Sequence, residues 1–195
     1  MNKQVQQEIE ARIDEASSDT IFLTNDFKDI APIVNIRKVL SRLVESNKLI
    51  RLMDGMYYKS DNKELPSVER IAKEIAREYR WTIAPSSKCC LFLLGLSDKD
   101  DDEHSFISDG PSRTYQYNET TISFITRRRK YVTNLSYITI IFIEALRTLT
   151  KDNVDNKVIL ILKNKLTNED KQTLLKEAKG INDWIYAIIK KICSE

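Results

Sequence analysis

Asn35-Ile36-Arg37-Lys38-Val39-Leu40-Ser41-Arg42-Leu43, followed by Leu49-Ile50-Arg51-Leu52-Met53-Asp54-Gly55-Met56-Tyr57-Tyr58, is the stretch that sets the fold expected of this chain. In the first part Ile36, Val39, Leu40 and Leu43 recur at helical spacing, with Arg37, Lys38, Ser41 and Arg42 between them. One face of such a helix is apolar and the other basic. Asn35 carries the short polar side chain that caps a helix start. In the second part the period changes to that of strands, and Asp54-Gly55 supplies the backbone freedom of a tight hairpin.

Upstream, Val5, Ile9 and Ile13 mark one buried helical stripe. The short apolar run Thr20-Ile21-Phe22-Leu23 comes next, and Thr24 is placed to cap a second, short helix that ends before Pro32. Helix, short helix, helix and two-stranded hairpin form the order of a winged helix-turn-helix. The polar segment Lys59-Ser60-Asp61-Asn62-Lys63-Glu64-Leu65-Pro66 ends in proline, so an N-terminal domain over residues 1–62 and a second domain over 63–195 are expected.

The second half reads as mixed. Residues 67–79 form an amphipathic helix with Ser67 as cap, Trp81-Thr82-Ile83 a short strand, and residues 85–94 a buried helix opened by proline and closed at Gly95. Strands are expected over residues 105–108, 114–117 and 121–126, with turns at Asp109-Gly110-Pro111-Ser112 and Asn118-Glu119. Helices follow over 137–149, 154–163, 168–179 and 182–192. The fold class expected is therefore α+β: a winged helix-turn-helix, then a mixed α/β domain with a small sheet and C-terminal helices.

With 42% hydrophobic and 31% charged residues, the chain has the composition of a folded globular protein. The longest apolar stretch, residues 137–149, is too short for a membrane span and is broken by Glu144 and Arg147. Met1-Asn2-Lys3-Gln4 leads into a charged stretch rather than an apolar signal region, which gives the expectation of a cytoplasmic protein with no membrane partner. Cys89, Cys90 and Cys193 include a vicinal pair and encode no disulfide framework, and with His104 the only histidine no zinc-ligand spacing exists. The acidic run at residues 98–103 lacks the glycine and spacing of a calcium loop. His104 has no assignable nucleophile beside it, so no enzyme activity and no small-molecule cofactor are expected.

The net charge of +2 is too near neutral to mark a nucleic-acid binder, but its distribution is uneven. Residues 1–34 place Lys3, Arg12 and Lys28 against Glu8, Glu10, Asp14, Glu15, Asp19, Asp26 and Asp29. From 35 to 60 the balance reverses, with Arg37, Lys38, Arg42, Lys48, Arg51 and Lys59 against Glu45 and Asp54. Arginine can hold guanine through two hydrogen bonds and asparagine can hold adenine likewise, so Asn35, Arg37 and Arg42 are candidates for base contact, with Ser41 among the DNA-facing residues of the same helix. Lys38 and Lys48 suit phosphate, and the hairpin adds Arg51 and Lys59. The competing reading is a solvated face with no partner. A second basic run, Arg127-Arg128-Arg129-Lys130, fits either an acidic protein surface or further DNA.

Further residues carry a resemblance. Leu40-Ser41-Arg42-Leu43 and Gly55-Met56-Tyr57-Tyr58 are joined by Trp81, Pro85-Ser86, Leu94-Gly95-Leu96-Ser97 and Asp109-Gly110-Pro111-Ser112-Arg113-Thr114. With these, the whole chain resembles the short branch of the AbiEi-like antitoxins of type IV toxin-antitoxin, or abortive infection, systems. The resemblance implies a winged domain that binds the promoter of its own operon and a C-terminal domain that counters a nucleotidyltransferase-like toxin. By the same resemblance Arg37, Lys38, Arg42 and Arg51 belong to operator binding, and Arg113 with Arg127, Arg128, Arg129 and Lys130 to toxin-directed or additional DNA contact. A protein-interaction module, or a transcription regulator unrelated to any toxin, is the alternative.

Overall fold

Ile9 and Ile13 are buried on one side of the first helix, α1 (Lys3–Glu15), as their spacing requires. A computed structural model describes residues 3–61, 64–99 and 104–194. Among them are eight α-helices and two small sheets, an α+β chain. By contacts it divides into two compact units, Met1–Glu78 with Gln116–Thr120, and Tyr79–Tyr115 with Thr121–Glu195. The expected boundary between residues 62 and 63 lies outside the described residues.

In the first unit the apolar run after α1 is a strand, β1 (Thr20–Leu23). A single 3-10 turn (Thr24–Phe27) takes the place of the expected second helix. Thr24 does not cap it. The Asp26 carboxylate accepts from the Leu23 amide at 2.8 Å, and the Thr24 hydroxyl reaches across to the Gly55 carbonyl at 3.3 Å. Helix α2 (Ile33–Glu45) buries Ile36, Val39, Leu40 and Leu43. Its end is closed by Asn47 at φ +58, with the amides of Asn47 and Lys48 bonding back to the carbonyls of Val44 and Leu43.

Strands β2 (Ile50–Met53) and β3 (Met56–Lys59) form the expected hairpin. Only Gly55 of the Asp54-Gly55 pair has a positive φ, +73, and the register shifts between Arg51 and Met53. A single left-handed glycine beside a bulge therefore makes the turn. The sheet order is β1-β3-β2, both pairings antiparallel. Ile9, Ile13, Phe22, Phe27, Ile36, Val39, Leu40, Leu43, Leu49 and Tyr57 form one core.

Helix α3 (Val68–Tyr79) counts with this unit as far as Glu78. The Arg70 guanidinium donates to the Asp19 carbonyl, and Arg77 grips both Asp26 carboxylate oxygens at 2.7 and 3.0 Å. Polar contacts therefore extend the unit beyond the proline-terminated segment that marked its expected end.

The second unit holds β4 (Ile83–Pro85), α4 (Ser87–Leu93), β5 (Ser105–Ser108), β6 (Arg113–Tyr117) and β7 (Thr120–Thr126), of which residues 116–120 count with the first unit. The strand expected at residues 81–83 is displaced to 83–85, so Pro85 ends a strand and the helix opens two residues later. Sheet order is β4-β5-β7-β6, with β5 and β7 parallel. Helices α5 (Tyr137–Leu149), α6 (Asn156–Lys163), α7 (Asn168–Glu177) and α8 (Asp183–Cys193) complete the unit. Residues 139–146 of α5 are buried without a break, as in a helix covered on all sides. Phe142, Ile143 and Leu146 meet Leu162, Leu174, Ile185 and Ile189 in the core.

Candidate nucleic-acid interface

The buried side of α2 fixes what its other side presents. Residues three and four apart on a helix are neighbours, so anchoring Ile36, Val39, Leu40 and Leu43 in the core turns Arg37, Lys38 and Ser41 outward together. Arg37, Lys38, Ser41, Arg42 and Glu45 line one shallow groove of 330 Å³. Neither Arg37 nor Lys38 makes an ion pair with any described residue. With Arg37, Lys38 and Arg42 against the single carboxylate of Glu45, the groove carries a net positive charge.

Asn35 does not cap the helix. The chain enters through Pro32, whose fixed φ of −58° suits a helix start, and Asn35 lies half-buried inside the first turn. The Asn35 amide bonds back to the Pro32 carbonyl at 2.9 Å. The earlier start brings Ile33 and Val34 onto the first turn, residues that sequence reasoning did not single out. Val34 stands three and four residues before Arg37 and Lys38 and is 64% exposed. The signal was present in the spacing and was hidden by placing the cap one turn too late.

The remaining cations of the unit divide by their partners. Lys48 lies 3.9 Å from the Asp14 carboxylate with both side chains exposed, a weak tie. Arg51 holds Asp54 at 2.8 Å across the hairpin turn. Lys59 is not available as a surface contact. Its ammonium donates to the carbonyls of Ile13, Asp14 and Ala16 at 2.9, 3.0 and 2.6 Å. A helix end leaves carbonyls without partners and carries partial negative charge, so Lys59 acts as the cap of α1.

In the second unit the basic run is likewise divided. Arg127 donates from Nε and Nη2 to one oxygen of Glu144 at 2.9 and 2.6 Å, and Arg147 donates to the other at 3.1 Å. Ser87 adds a hydroxyl bond at 2.7 Å. Burial would push the Glu144 carboxyl up, but the bonds from Arg127 and Ser87 and the charges of Arg127 and Arg147 outweigh it and hold it below its ordinary value. Arg127 thus supports the interior rather than the surface. Lys130 is exposed but donates to the Ile181 carbonyl at 2.8 Å, whereas Arg128 and Arg129 are exposed without such a tie to any described residue. Arg113 lies over the rings of Tyr79 and Trp81 at 5.5 and 6.0 Å.

No cluster of three or more histidine, cysteine or carboxylate side chains that could hold a metal occurs among the described residues, and residues 100–103 of the acidic run lie outside them. No helix among the described residues is long and apolar enough to cross a membrane.

These features define a class: an α+β chain that presents one basic helix face on a small unit and carries a larger, helix-rich second unit. Residues 8–174 match a family of unknown function, DUF6088, and the chain belongs to that family. No curated protein and no solved structure matches it.

Proposed function

We propose that this protein binds double-stranded DNA through the outward face of α2, in the manner of a winged helix-turn-helix, and regulates its own operon as the antitoxin of a type IV toxin-antitoxin system. The observation that carries the DNA reading is the common groove of Arg37, Lys38, Ser41 and Arg42 on one helix face, with Arg37 and Lys38 free of internal ion pairs. The order α1, β1, 3-10 turn, α2, β2, β3 supports it, because it keeps the helix followed by a two-stranded hairpin of a winged domain, with a single 3-10 turn in the place of the short second helix.

On this reading α2 enters the major groove, Arg37 and Arg42 meet base edges or phosphates, and Lys38 and Lys48 neutralise phosphates. Arg51 on the hairpin contributes less while it holds Asp54. The antitoxin role rests on the resemblance in the Leu94-Gly95-Leu96-Ser97 and Asp109-Gly110-Pro111-Ser112-Arg113 segments. Its partner is a nucleotidyltransferase-like toxin countered by the second unit, with Arg113, Arg128 and Arg129 as exposed cations for that contact.

Fluorescence anisotropy with a duplex from upstream of the gene tests the DNA reading. Affinity should fall steeply with salt, and an Arg37→Ala, Lys38→Ala, Arg42→Ala variant should flatten the log-log slope by about 2 to 3, since each lost phosphate contact removes close to one released counterion. An unchanged affinity and slope in that variant would remove α2 as the reading helix. Growth rescue on co-expression with the adjacent gene tests the antitoxin role.

A further inference from the structure

The groove on α2 is headed by an apolar pair that neither packing nor solubility explains. Ile33 and Val34 are adjacent, 39% and 64% exposed, and neither belongs to the buried cluster of the first unit. The same helix buries Ile36, Val39, Leu40 and Leu43 almost completely. Its core face is therefore complete without them. Both are β-branched, a choice that slightly weakens a helix turn.

Their position on the helix is specific. Val34 begins the stripe that Arg37, Lys38 and Ser41 continue at three, four and seven residues, and Ile33 lies one turn before Arg37. Side chains on a helix lean toward its N-terminus, so the long arms of Arg37 and Lys38 reach back over the turn that carries Val34. An apolar patch edged by two unpaired cations is matched by a surface that is polyanionic at its rim and locally apolar at its centre. The major groove of DNA has this arrangement, with phosphates along its walls and the C5-methyl of thymine projecting from its floor.

We infer that Ile33 and Val34 are specificity residues that receive thymine methyl groups, so that the DNA recognised carries A·T pairs beside the base pair met by Arg37. This rests on the DNA-binding reading above and adds to it the kind of sequence selected. Recognition helices contact base edges with their first turns, where Ile33 and Val34 stand. Each thymine methyl taken from water against Val34 or Ile33 should be worth about a fourfold change in affinity, the value of one buried carbon group.

The test begins with in vitro selection of duplexes from a random pool by the full chain, followed by replacement of each thymine in the selected site with deoxyuridine, which removes only the methyl. One or two positions should weaken wild-type binding about fourfold each, while uracil elsewhere is neutral. In an Ile33→Ser, Val34→Ser double variant, whose fold is checked by circular dichroism because Ile33 is only 39% exposed, thymine and uracil duplexes should bind alike. Equal wild-type affinity at every uracil position, a selected site without thymine, or an unchanged thymine preference in the double variant would overturn the inference while leaving DNA binding in place. Failure of the wild type to retain any duplex at low salt would overturn both this inference and the DNA-binding reading beneath it.

Discussion

The ammonium of Lys59, at the end of β3, lies 2.6 Å from the carbonyl oxygen of Ala16, just past the end of α1. With the carbonyls of Ile13 and Asp14 also in reach, one side chain ties the hairpin to the first helix. Replacing Lys59 by methionine keeps most of the apolar stem and removes these bonds. The first unit should lose about 1.5–3 kcal/mol, the usual worth of hydrogen bonds from a charged donor, read from urea denaturation. The salt slope of DNA binding should not change, since Lys59 is already engaged within the protein.

Asp54 and Arg51 hold each other at 2.8 Å with both side chains exposed. Asp54→Asn keeps a turn-compatible residue, releases Arg51 and removes a negative charge from the hairpin tip. DNA affinity should rise about two- to fivefold at low salt, the scale of one exposed pair, and the gain should fade as salt screens it. An affinity lower than wild type in the same anisotropy titration would argue against the hairpin lying beside DNA.

Glu144 is 2% exposed and is held by Arg127, Arg147 and Ser87. Arg127→Met should destabilise the second unit by about 3–5 kcal/mol, because it strips a buried carboxylate of its closest partner. The pH dependence follows from the same contacts. The Glu144 carboxyl is held lower in the folded chain than in the unfolded one, so its stabilising contribution is present above the unfolded value and is lost as pH falls through the folded value. Glu144→Gln should therefore flatten the acid limb of a stability-against-pH curve followed by the fluorescence of Trp81 and Trp184. An acid limb as steep in Glu144→Gln as in wild type would assign it to other carboxylates.

A methyl group on Gly110 would clash with the indole of Trp81, closer to its Cε2, Cδ2 and Nε1 atoms than van der Waals contact allows. Gly110 has no positive φ, so space rather than backbone freedom demands glycine there. The turn is further fixed by the Thr126 hydroxyl on the Gly110 carbonyl at 2.8 Å and by the Gly110 amide on the Ser108 hydroxyl at 2.9 Å. Gly110→Ala should cost about 1–3 kcal/mol by overpacking and alter the near-ultraviolet circular dichroism of the tryptophans. An unchanged spectrum and midpoint would mean that Trp81 turns aside freely.

The α+β class, the hairpin at Asp54-Gly55 and the helices of the second half could all be read from the spacing of apolar residues and from turn chemistry. These are local properties, because a helix or strand needs its periodicity within a few residues. Spacing also set Arg37, Lys38, Ser41 and Arg42 on one face, since the buried positions 36, 39, 40 and 43 leave no other orientation. What the sequence could not give was the fate of each charge. Lys59 and Arg127 looked like their neighbours, and only distant chain, the end of α1 in one case and the buried side of α5 in the other, drew them inward. Likewise β1 is a strand because β3 lies alongside it, and α2 starts at Ile33 because the chain enters through Pro32, which moved Val34 to the head of the basic stripe. Periodicity acts along the chain and fixes elements, whereas hydrogen bonds and ion pairs act through space and decide which side chains remain free to meet a partner.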